Sequence, residues 1–170
     1  MLSAQQVTSC AMANGCNGGY MSTALAYIRD VGLTTEANYG YTATQNNCNT
    51  PNSRPYSISS YSRIDTDGSC DAFATYLQNH GPIVVGMAIY SSFFSYDSGV
   101  YSCPVDANDY FCGHHAMVAV GHDATEGSIL LQNSWGTSWG DNGFIKVTTN
   151  QNQNGYVCYY YSYFSTAWEW

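Results

Sequence analysis

The chain has 170 residues, of which 45% are hydrophobic and 15% aromatic, whereas only 9% are charged. This is the composition of a folded protein, because disordered chains combine low hydrophobicity with high charge. Four basic residues against twelve acidic ones give a net charge of −8, which excludes the phosphate-neutralising surface of a nucleic-acid-binding protein. No apolar run approaches the roughly 18 residues of a membrane span. We therefore expect neither nucleic acid nor a membrane span.

Two helices are predicted in the first half of the chain. The first covers 23–31, where Ser22 provides an N-cap, apolar residues recur at helical spacing and Gly32 provides a C-terminal stop. The second covers 71–80, where apolar residues share one face and Gly81 ends the helix. Helix and loop thus dominate this part of the sequence.

The remaining segments read as a long loop followed by strands. Residues 38–62 are rich in Tyr, Asn, Ser, Thr and Pro without a sustained period, which predicts an extended connection between two lobes. After residue 82 the pattern changes to β-leaning apolar runs separated by turn residues. Four such runs predict an antiparallel sheet or barrel: 83–89, 116–120, 128–132 and 143–148.

Seven cysteines are dispersed along the chain. Reduced cytosolic proteins rarely carry so many, so the sequence predicts an oxidising compartment, either a lysosome-like vacuole or the cell exterior. The first residues lack a basic region followed by an apolar one, so we expect no signal peptide within the sequence. The odd count leaves one thiol free or bonded to another chain.

Three motifs carry the functional signal. Residues 15–20 read Gly-Cys-Asn-Gly-Gly-Tyr, residues 114–121 begin with two histidines before an apolar run, and residues 132–144 contain Asn-Ser-Trp-Gly and a second Trp-Gly pair. Together they resemble the papain family of cysteine peptidases. The resemblance implies an α+β, two-lobed fold. Residues 1–62 would be the remainder of a helical lobe, and 63–170 an antiparallel β-barrel lobe whose C-terminal tail returns to the helical lobe.

The resemblance implies a catalytic role for two residues and a protective one for a third. His115 would be the general base paired with a cysteine thiolate, and Asn133 would accept a hydrogen bond from its ring. This agrees with the chemistry, because a weak nucleophile needs an adjacent base and the base needs a third group to orient it. Trp135 would exclude water from the bond between them and so strengthen it.

Further positions match the family's substrate-binding residues. Gly18 and Gly19 resemble a backbone edge that pairs with a bound peptide, where a side chain would block close approach. The competing interpretation is an ordinary tight turn for the two glycines and ordinary core packing for Met21 and Tyr163. The resemblance also implies an apolar substrate pocket. It assigns five residues to this pocket and its surroundings: Tyr20, Met21, Ala116, Tyr163 and Trp139.

The resemblance also suggests how the cysteines pair. Cys10 matches one family bridge with Cys48, and Cys103 matches another with Cys158. Cys16 corresponds to a cysteine whose partner lies beside the nucleophile, so it would link to a partner segment. Two cysteines remain, Cys70 and Cys112, and parity suggests a tentative bridge between them. A bridge between Cys103 and Cys112 is the alternative.

The family's nucleophilic cysteine and oxyanion-hole glutamine match nothing in this sequence. We expect both on a separate or preceding N-terminal segment, which in the family also carries the central helix of the helical lobe. This chain alone is then expected to be inactive. Its partners would be that segment, a polypeptide substrate, and a propeptide or inhibitor. The alternative function is an inactive papain-like subunit that binds peptides or serves a structural role.

His114 departs from the family, which often has an aspartate or a small residue there. We hypothesise that it tunes the pH dependence of the dyad, against the simpler interpretation of an exposed histidine. A zinc site built from Cys112, His114, His115 and His122 is disfavoured, because adjacent strand residues point to opposite faces. We expect no metal and no cofactor.

Overall fold

The structure is a computed structural model that describes residues 1–64, 70–104, 106–149, 159–165 and 168–169. For 70–72 and from 159 onward it describes the backbone alone. The chain divides into two compact units. The first unit comprises Met1–Ser62 and Ser165–Trp170, and the second comprises Arg63–Phe164.

The first unit contains two α-helices and a two-stranded sheet. Helix α1 spans Ala4–Cys10, a short 3-10 helix spans Gly15–Asn17, and helix α2 spans Met21–Val31. Strand β1, Ser57–Ile58, pairs antiparallel with β9, Trp168–Glu169. Helix α2 confirms the predicted helix, but Ser22 lies inside it and the N-cap residue is Tyr20, whose side chain makes no capping hydrogen bond. Helix α1 was not predicted, because its buried positions are polar and it lacks an apolar stripe.

Two glutamines on α1 hold the first unit together. The Gln6 amide donates to the Tyr27 hydroxyl and the Gly32 carbonyl at 3.0 Å each, and it accepts from the Thr34 N–H at 2.9 Å. The Gln5 amide oxygen likewise accepts from the Thr42 N–H at 2.9 Å. Both glutamines are essentially inaccessible to solvent. Their hydrogen bonds satisfy loop groups that burial would otherwise leave unpaired.

The second unit is built on helix α3, Cys70–His80, and a seven-stranded sheet. The helix confirms the one predicted over 71–80. The order of strands across the sheet is β2-β8-β3-β5-β6-β7-β4. The strands are β2 (Tyr61–Ile64), β3 (Ile83–Tyr90), β4 (Val100–Tyr101), β5 (Phe111–Asp123), β6 (Ser128–Gln132), β7 (Phe144–Thr148) and β8 (Tyr159–Ser165).

The four predicted strands are all present, within β3, β5, β6 and β7, and each pairs antiparallel with its neighbour in that series. Strand β4 departs from the antiparallel expectation, because its two residues run parallel to β7 at the sheet edge. Strand β8 lies in the tyrosine-rich tail, outside the predicted strands, and pairs antiparallel with β3. Among the described residues, no helix combines the length and apolarity needed to cross a membrane.

The apolar core of the second unit lies against β3 and β5. Side chains of both strands and of α3 meet there with little or no solvent exposure. In the register of the central pair, Met87 stands opposite His115. The strand that carries His115 is therefore fixed by the largest apolar cluster among the described residues. The fully buried members include Phe73, Ile83, Met87, Phe93, Ala119 and Ile145.

Candidate active site

Strand β5 presents His115 on its inner face. Side chains alternate along a strand, and Met117 and Ala119 on the same face as His115 are buried. The His115 ring itself is half-buried, whereas His114 and Ala116 are exposed. The histidine thus lies where the core ends, with part of its ring accessible.

A hydrogen bond joins His115 to Asn133, which follows directly after β6. The His115 Nε2 lies 2.8 Å from the Asn133 Oδ1. The same oxygen accepts the Ser134 N–H at 2.7 Å, which identifies it as the amide oxygen. Since an amide oxygen only accepts, Nε2 carries the proton and donates. The other ring nitrogen, Nδ1, then holds the lone pair of the neutral imidazole.

The loop between β6 and β7 holds Asn133 in place. The Asn133 N–H donates to the Gly143 carbonyl at 2.9 Å, which closes the loop at its base. Gly140 turns the chain with φ +58°, and a Cβ there would lie 2.6 Å from the Phe144 carbonyl oxygen. Only glycine fits both the conformation and the space. The glycines of the motif therefore set the backbone path that delivers the asparagine.

Two aromatic rings contact the His115 ring and two more pack on those, and we call the four residues the aromatic shield: Phe93, Phe94, Trp135 and Trp139. The Trp135 ring lies 5.0 Å from the His115 ring, centroid to centroid. Phe93 is fully buried and contacts His115 edge-on at 5.9 Å and Trp135 at 5.3 Å. Phe94 stacks on Trp135 at 5.4 Å and Trp139 packs on Phe93 at 4.9 Å. The shield lowers the local polarity around the hydrogen bond, which strengthens it.

Sequence reasoning identified Trp135 but missed Phe93 and Phe94. Both lie on a 3-10 helix, Ser91–Ser95, that follows β3 and belongs to none of the three motifs. The contact of Phe93 with His115 depends on the pairing of β3 with β5, which brings together residues some twenty positions apart. The only signal in the sequence was the pair of adjacent phenylalanines after a predicted strand.

Two N–H groups in the site are buried without a hydrogen-bond partner among the described residues. They are the Asn133 Nδ2 and the Trp139 Nε1. An unpaired buried donor costs about 1–3 kcal/mol. The polar centre of the site is therefore formed at a local cost in free energy.

The glycine motif lies in the first unit, just before α2. Gly18 is exposed with φ +97°, and no atom lies within 4 Å of the position of a Cβ. At Gly19 a Cβ would lie 2.5 Å from the Met12 sulfur. Tyr20 is 75% exposed, and Met21 begins α2. The motif thus presents bare backbone to solvent on the surface of its unit.

The model of the papain family cysteine protease matches residues 1–165. The chain belongs to the papain family. It is 39% identical to digestive cysteine proteinase 1 of Homarus americanus, over 90% of this chain and 49% of that protein. It is 36% identical to cathepsin S of Bos taurus, over 95% of this chain and 50% of that protein. The chain thus spans about half the length of the curated relatives it matches.

Solved structures of the family confirm the α+β papain-like fold. The Carica candamarcensis cysteine protease CMS1MS2, in complex with E-64, aligns with a TM-score of 0.81 at 25% identity, over 97% of this chain and 76% of that one. Bromelain from Ananas comosus, in complex with the E64 inhibitor, aligns with a TM-score of 0.79 at 29% identity, over 97% and 77%.

The cysteines follow the family resemblance in part. Cys10 and Cys48 form a disulfide, and Cys16 is a free, exposed thiol. Cys103 is also disulfide-bonded. Its predicted partner, Cys158, lies outside the described residues. The pairing of Cys103 therefore stays a prediction.

One tentative bridge was wrong. Cys112 is a free, exposed thiol, so it bonds neither to Cys70 nor to Cys103. Parity suggested that bridge, but Cys112 lies on the solvent-facing side of β5, where its thiol contacts the Tyr110 carbonyl oxygen at 3.5 Å. Pairing by elimination fails because two thiols, rather than one, are free among the described cysteines.

The remaining predicted residues occupy β5, β8 and the aromatic shield. Ala116 is exposed on the side of β5 opposite to His115. Tyr163 lies on β8, where its backbone pairs with Val84, and its side chain is outside the described part. Trp139 is partly buried against the core. Their roles toward substrate stay predictions.

The histidines of β5 include the candidates for the disfavoured zinc site. His114 lies on the outer face of β5, where its ring meets that of Phe111 at 5.3 Å. In the described part of the chain, no three His, Cys, Asp or Glu side chains are placed to hold a metal ion. The influence of His114 on the dyad stays a prediction.

Proposed function

We propose that this chain supplies the base half of a cysteine-peptidase site that hydrolyses peptide bonds. The observation that carries the proposal is the 2.8 Å hydrogen bond from His115 to Asn133 beneath the aromatic shield. The Asn133 oxygen fixes the proton on Nε2, so that Nδ1 is the nitrogen available to take a proton from a thiol. A base oriented by a third group is what activation of a cysteine nucleophile requires.

The reaction then proceeds in two stages. The thiol proton moves to the His115 Nδ1, and the thiolate attacks the carbonyl carbon of the scissile peptide bond. The imidazolium returns its proton to the leaving amine, which departs and leaves a thioester. Next, Nδ1 takes a proton from water, and the resulting hydroxide attacks the thioester carbonyl. The acid product leaves, and the thiolate regains its proton from His115.

The nucleophile itself belongs, in this proposal, to an N-terminal segment outside the 170 residues. The family resemblance assigns that role to none of the seven cysteines present. Cys16 is the proposed link to that segment, because it is free and exposed on the first unit. This chain alone would then be inactive, since loss of one member of a catalytic unit removes nearly all its activity.

The proposed substrate is an extended polypeptide. The open backbone at Gly18 and the neighbouring Gly19 suit a peptide that lies along this edge and exchanges backbone hydrogen bonds. The apolar pocket predicted from Tyr20, Met21, Ala116 and Tyr163 favours hydrophobic or aromatic side chains. Since two solved relatives are complexes with E-64, we propose that inhibitors of this class, and a propeptide, would be partners of the assembled site.

We assign the protein to a lysosome-like vacuole or the cell exterior. The support is the Cys10–Cys48 disulfide together with the further disulfide at Cys103. Disulfides persist in oxidising compartments and are rare in the cytosol.

The proposal is tested by the intact mass of natively purified protein, before and after reduction and after treatment with an epoxide inhibitor such as E-64. We expect a single chain well above 18.6 kDa, or a second chain released by reduction. The inhibitor should add its mass to a cysteine on that additional segment. Hydrolysis of a fluorogenic peptide should fall by at least about 10³-fold in His115→Ala, the range seen when one member of a catalytic unit is removed.

His122→Ala is the matched control, since His122 lies on the same strand outside the site. It should keep full activity. A lone 18.6 kDa species with a free Cys16 thiol would contradict the proposal and favour the inactive peptide-binding subunit instead.

A further inference from the structure

The carboxylate of Asp109 makes a concentrated set of hydrogen bonds in the second unit. Its Oδ1 accepts from the Ser91 hydroxyl at 2.9 Å and from the Ser92 N–H at 2.8 Å. Its Oδ2 accepts from the Ser92 hydroxyl at 2.6 Å. The adjoining Tyr110 carbonyl accepts from the Ser91 N–H at 3.0 Å. The segment that precedes β5 therefore binds the first two residues of the 3-10 helix Ser91–Ser95 through hydrogen bonds.

This helix has no cap within its own sequence. Its N-cap residue is Tyr90, whose side chain makes no capping hydrogen bond, and its first turn contains no acidic residue. The first N–H groups of a helix need an acceptor from elsewhere. Asp109 supplies it from 17 residues further along the chain, as a charge-assisted hydrogen bond.

A tyrosine extends the network on its far side. The Ser92 Oγ lies 2.7 Å from the Tyr101 hydroxyl. Because Ser92 gives its single hydroxyl proton to the carboxylate, Tyr101 must donate to Ser92. Burial raises the pKa of Tyr101 to about 12, so its hydroxyl keeps that proton across the physiological range. The donor chain therefore runs in one direction, from Tyr101 through Ser92 to Asp109.

The held helix carries two members of the aromatic shield. Phe93 and Phe94 directly follow the serines that Asp109 binds, and they contact the rings of His115 and Trp135. Asp109 itself precedes β5, the strand that bears His115. It thus ties the element that carries the shield to the element that carries the base.

We propose that Asp109 is a positioning residue that holds the aromatic shield over the His115–Asn133 hydrogen bond. The inference rests on the proposed function for its catalytic meaning, but its physical content concerns this chain alone. Without the carboxylate, Ser91 and Ser92 lose their acceptor and the start of the helix opens. The shield then admits water to the Nε2 proton.

The test measures that proton directly, without any hydrolysis. In protein labelled with 15N-histidine, the His115 Nε2–H signal is identified by its loss in His115→Gln. We expect the signal to be visible in the unsubstituted protein. In Asp109→Ala the exchange of this proton with water should accelerate about 10- to 100-fold, because loss of charge-assisted hydrogen bonds favours local opening. Asp109→Asn, which keeps one acceptor oxygen, should show an intermediate rate.

Glu126→Gln is the matched control. Its carboxylate also accepts a serine hydroxyl, that of Ser128 at 2.8 Å, and it lies in the same unit, where its side-chain hydrogen bonds are to Ser128 and Lys146 rather than to the 3-10 helix. Its exchange rate should equal that of the unsubstituted protein. If Asp109→Ala does not fold, Ser92→Ala decides by the same signal, because it removes two hydrogen bonds and keeps the carboxylate.

Equal exchange rates in the Asp109 or Ser92 variants and the unsubstituted protein would overturn the inference. Absence of a protected Nε2–H signal in the unsubstituted protein would overturn it as well. Neither result would touch the proposed peptidase function, which is judged by mass, inhibitor labelling and hydrolysis.

Discussion

The two units bury different kinds of side chain. Among the described residues, the first unit buries three hydrophobic side chains, Leu25, Leu33 and Ile58, and five polar ones, Ser3, Gln5, Gln6, Ser9 and Thr34. The second unit buries an extensive apolar cluster over its sheet and a single polar side chain, Ser128. The first unit therefore depends on a network of directional hydrogen bonds, whereas the second depends on apolar packing.

This contrast teaches how each unit responds to change. Apolar packing loses free energy in proportion to the volume removed. In a buried polar network, removing one member leaves its former partners unpaired, and each unpaired group costs free energy. The second unit, with the larger apolar core, is also the one that carries His115 and Asn133.

The largest expected effect is on the apolar side. Phe73→Ala in α3 empties a position that is 1% exposed, and should lower the free energy of unfolding by about 3–5 kcal/mol. Urea denaturation of the chain measures it. Phe94→Ala is the control of the same residue type at 54% exposure, and should cost less than about 1.5 kcal/mol. Equal costs for the two variants would contradict an apolar core as the source of stability.

The next effect tests the polar network of the first unit. Gln6→Leu is close in volume but leaves the Gly32 carbonyl and the Thr34 N–H unpaired. Each unpaired group should cost about 1–3 kcal/mol. Amide hydrogen exchange at Thr34 should accelerate accordingly. Gln78→Leu, at an exposed position of α3, is the control and should leave stability nearly unchanged. An unaltered Thr34 exchange rate in Gln6→Leu would contradict the claim that hydrogen bonds of Gln6 stabilise the first unit.

A smaller effect concerns the pH profile of the assembled enzyme. His114→Asn should shift the pH–rate profile, because His114 adjoins the proposed base in sequence and changes the charge near it on protonation. Steady-state hydrolysis of a peptide substrate between about pH 4 and 8 measures it, since histidine titrates within that range. An unchanged profile would leave His114 as a surface histidine without a tuning role.

The smallest effect is a pH dependence of stability at a turn of the second unit. The backbone N–H groups of Glu126 and Thr125 lower the pKa of Asp123 from its usual 3.8. A lowered pKa in the folded state gives stability that is present above the usual value and is lost as the pH falls below it. Asp123→Asn should therefore flatten the acid limb of the plot of unfolding free energy against pH.

Asp123→Ser repeats that experiment with a second uncharged side chain. A serine hydroxyl still accepts a hydrogen bond at the turn but carries no charge. It should flatten the acid limb as Asp123→Asn does. An acid limb as steep in both variants as in the unsubstituted protein would show that the carboxylate makes no contribution.

Local sequence patterns predicted most helices and strands, but they did not predict contacts between residues far apart in the chain. Helices α2 and α3 and the strands of the central sheet were predictable because their apolar residues recur at regular spacing. Helix α1 was not, since its inward residues are glutamine and serine. The parallel pairing of β4 was also missed, because a two-residue strand gives no periodic signal.

The site divides in the same way. The motifs indicated His115, Asn133 and Trp135, and the structure brings these three together. Phe93 and Asp109 lie outside every motif and reach the site only through strand pairing and a hydrogen bond across 17 residues. Sequence patterns report neighbours along the chain, whereas these two residues are neighbours in space.

The adjacent glycines of the exposed motif are constrained in unlike ways. At Gly18 the constraint is handedness, because the space around it is open but its φ of +97° disfavours any L side chain. At Gly19 the φ angle is unrestricted, and the obstacle is the flexible end of the Met12 side chain, which can turn aside. Among natural variants of this chain, position 19 should therefore accept a small side chain more readily than position 18. No compensating change elsewhere would relieve position 18.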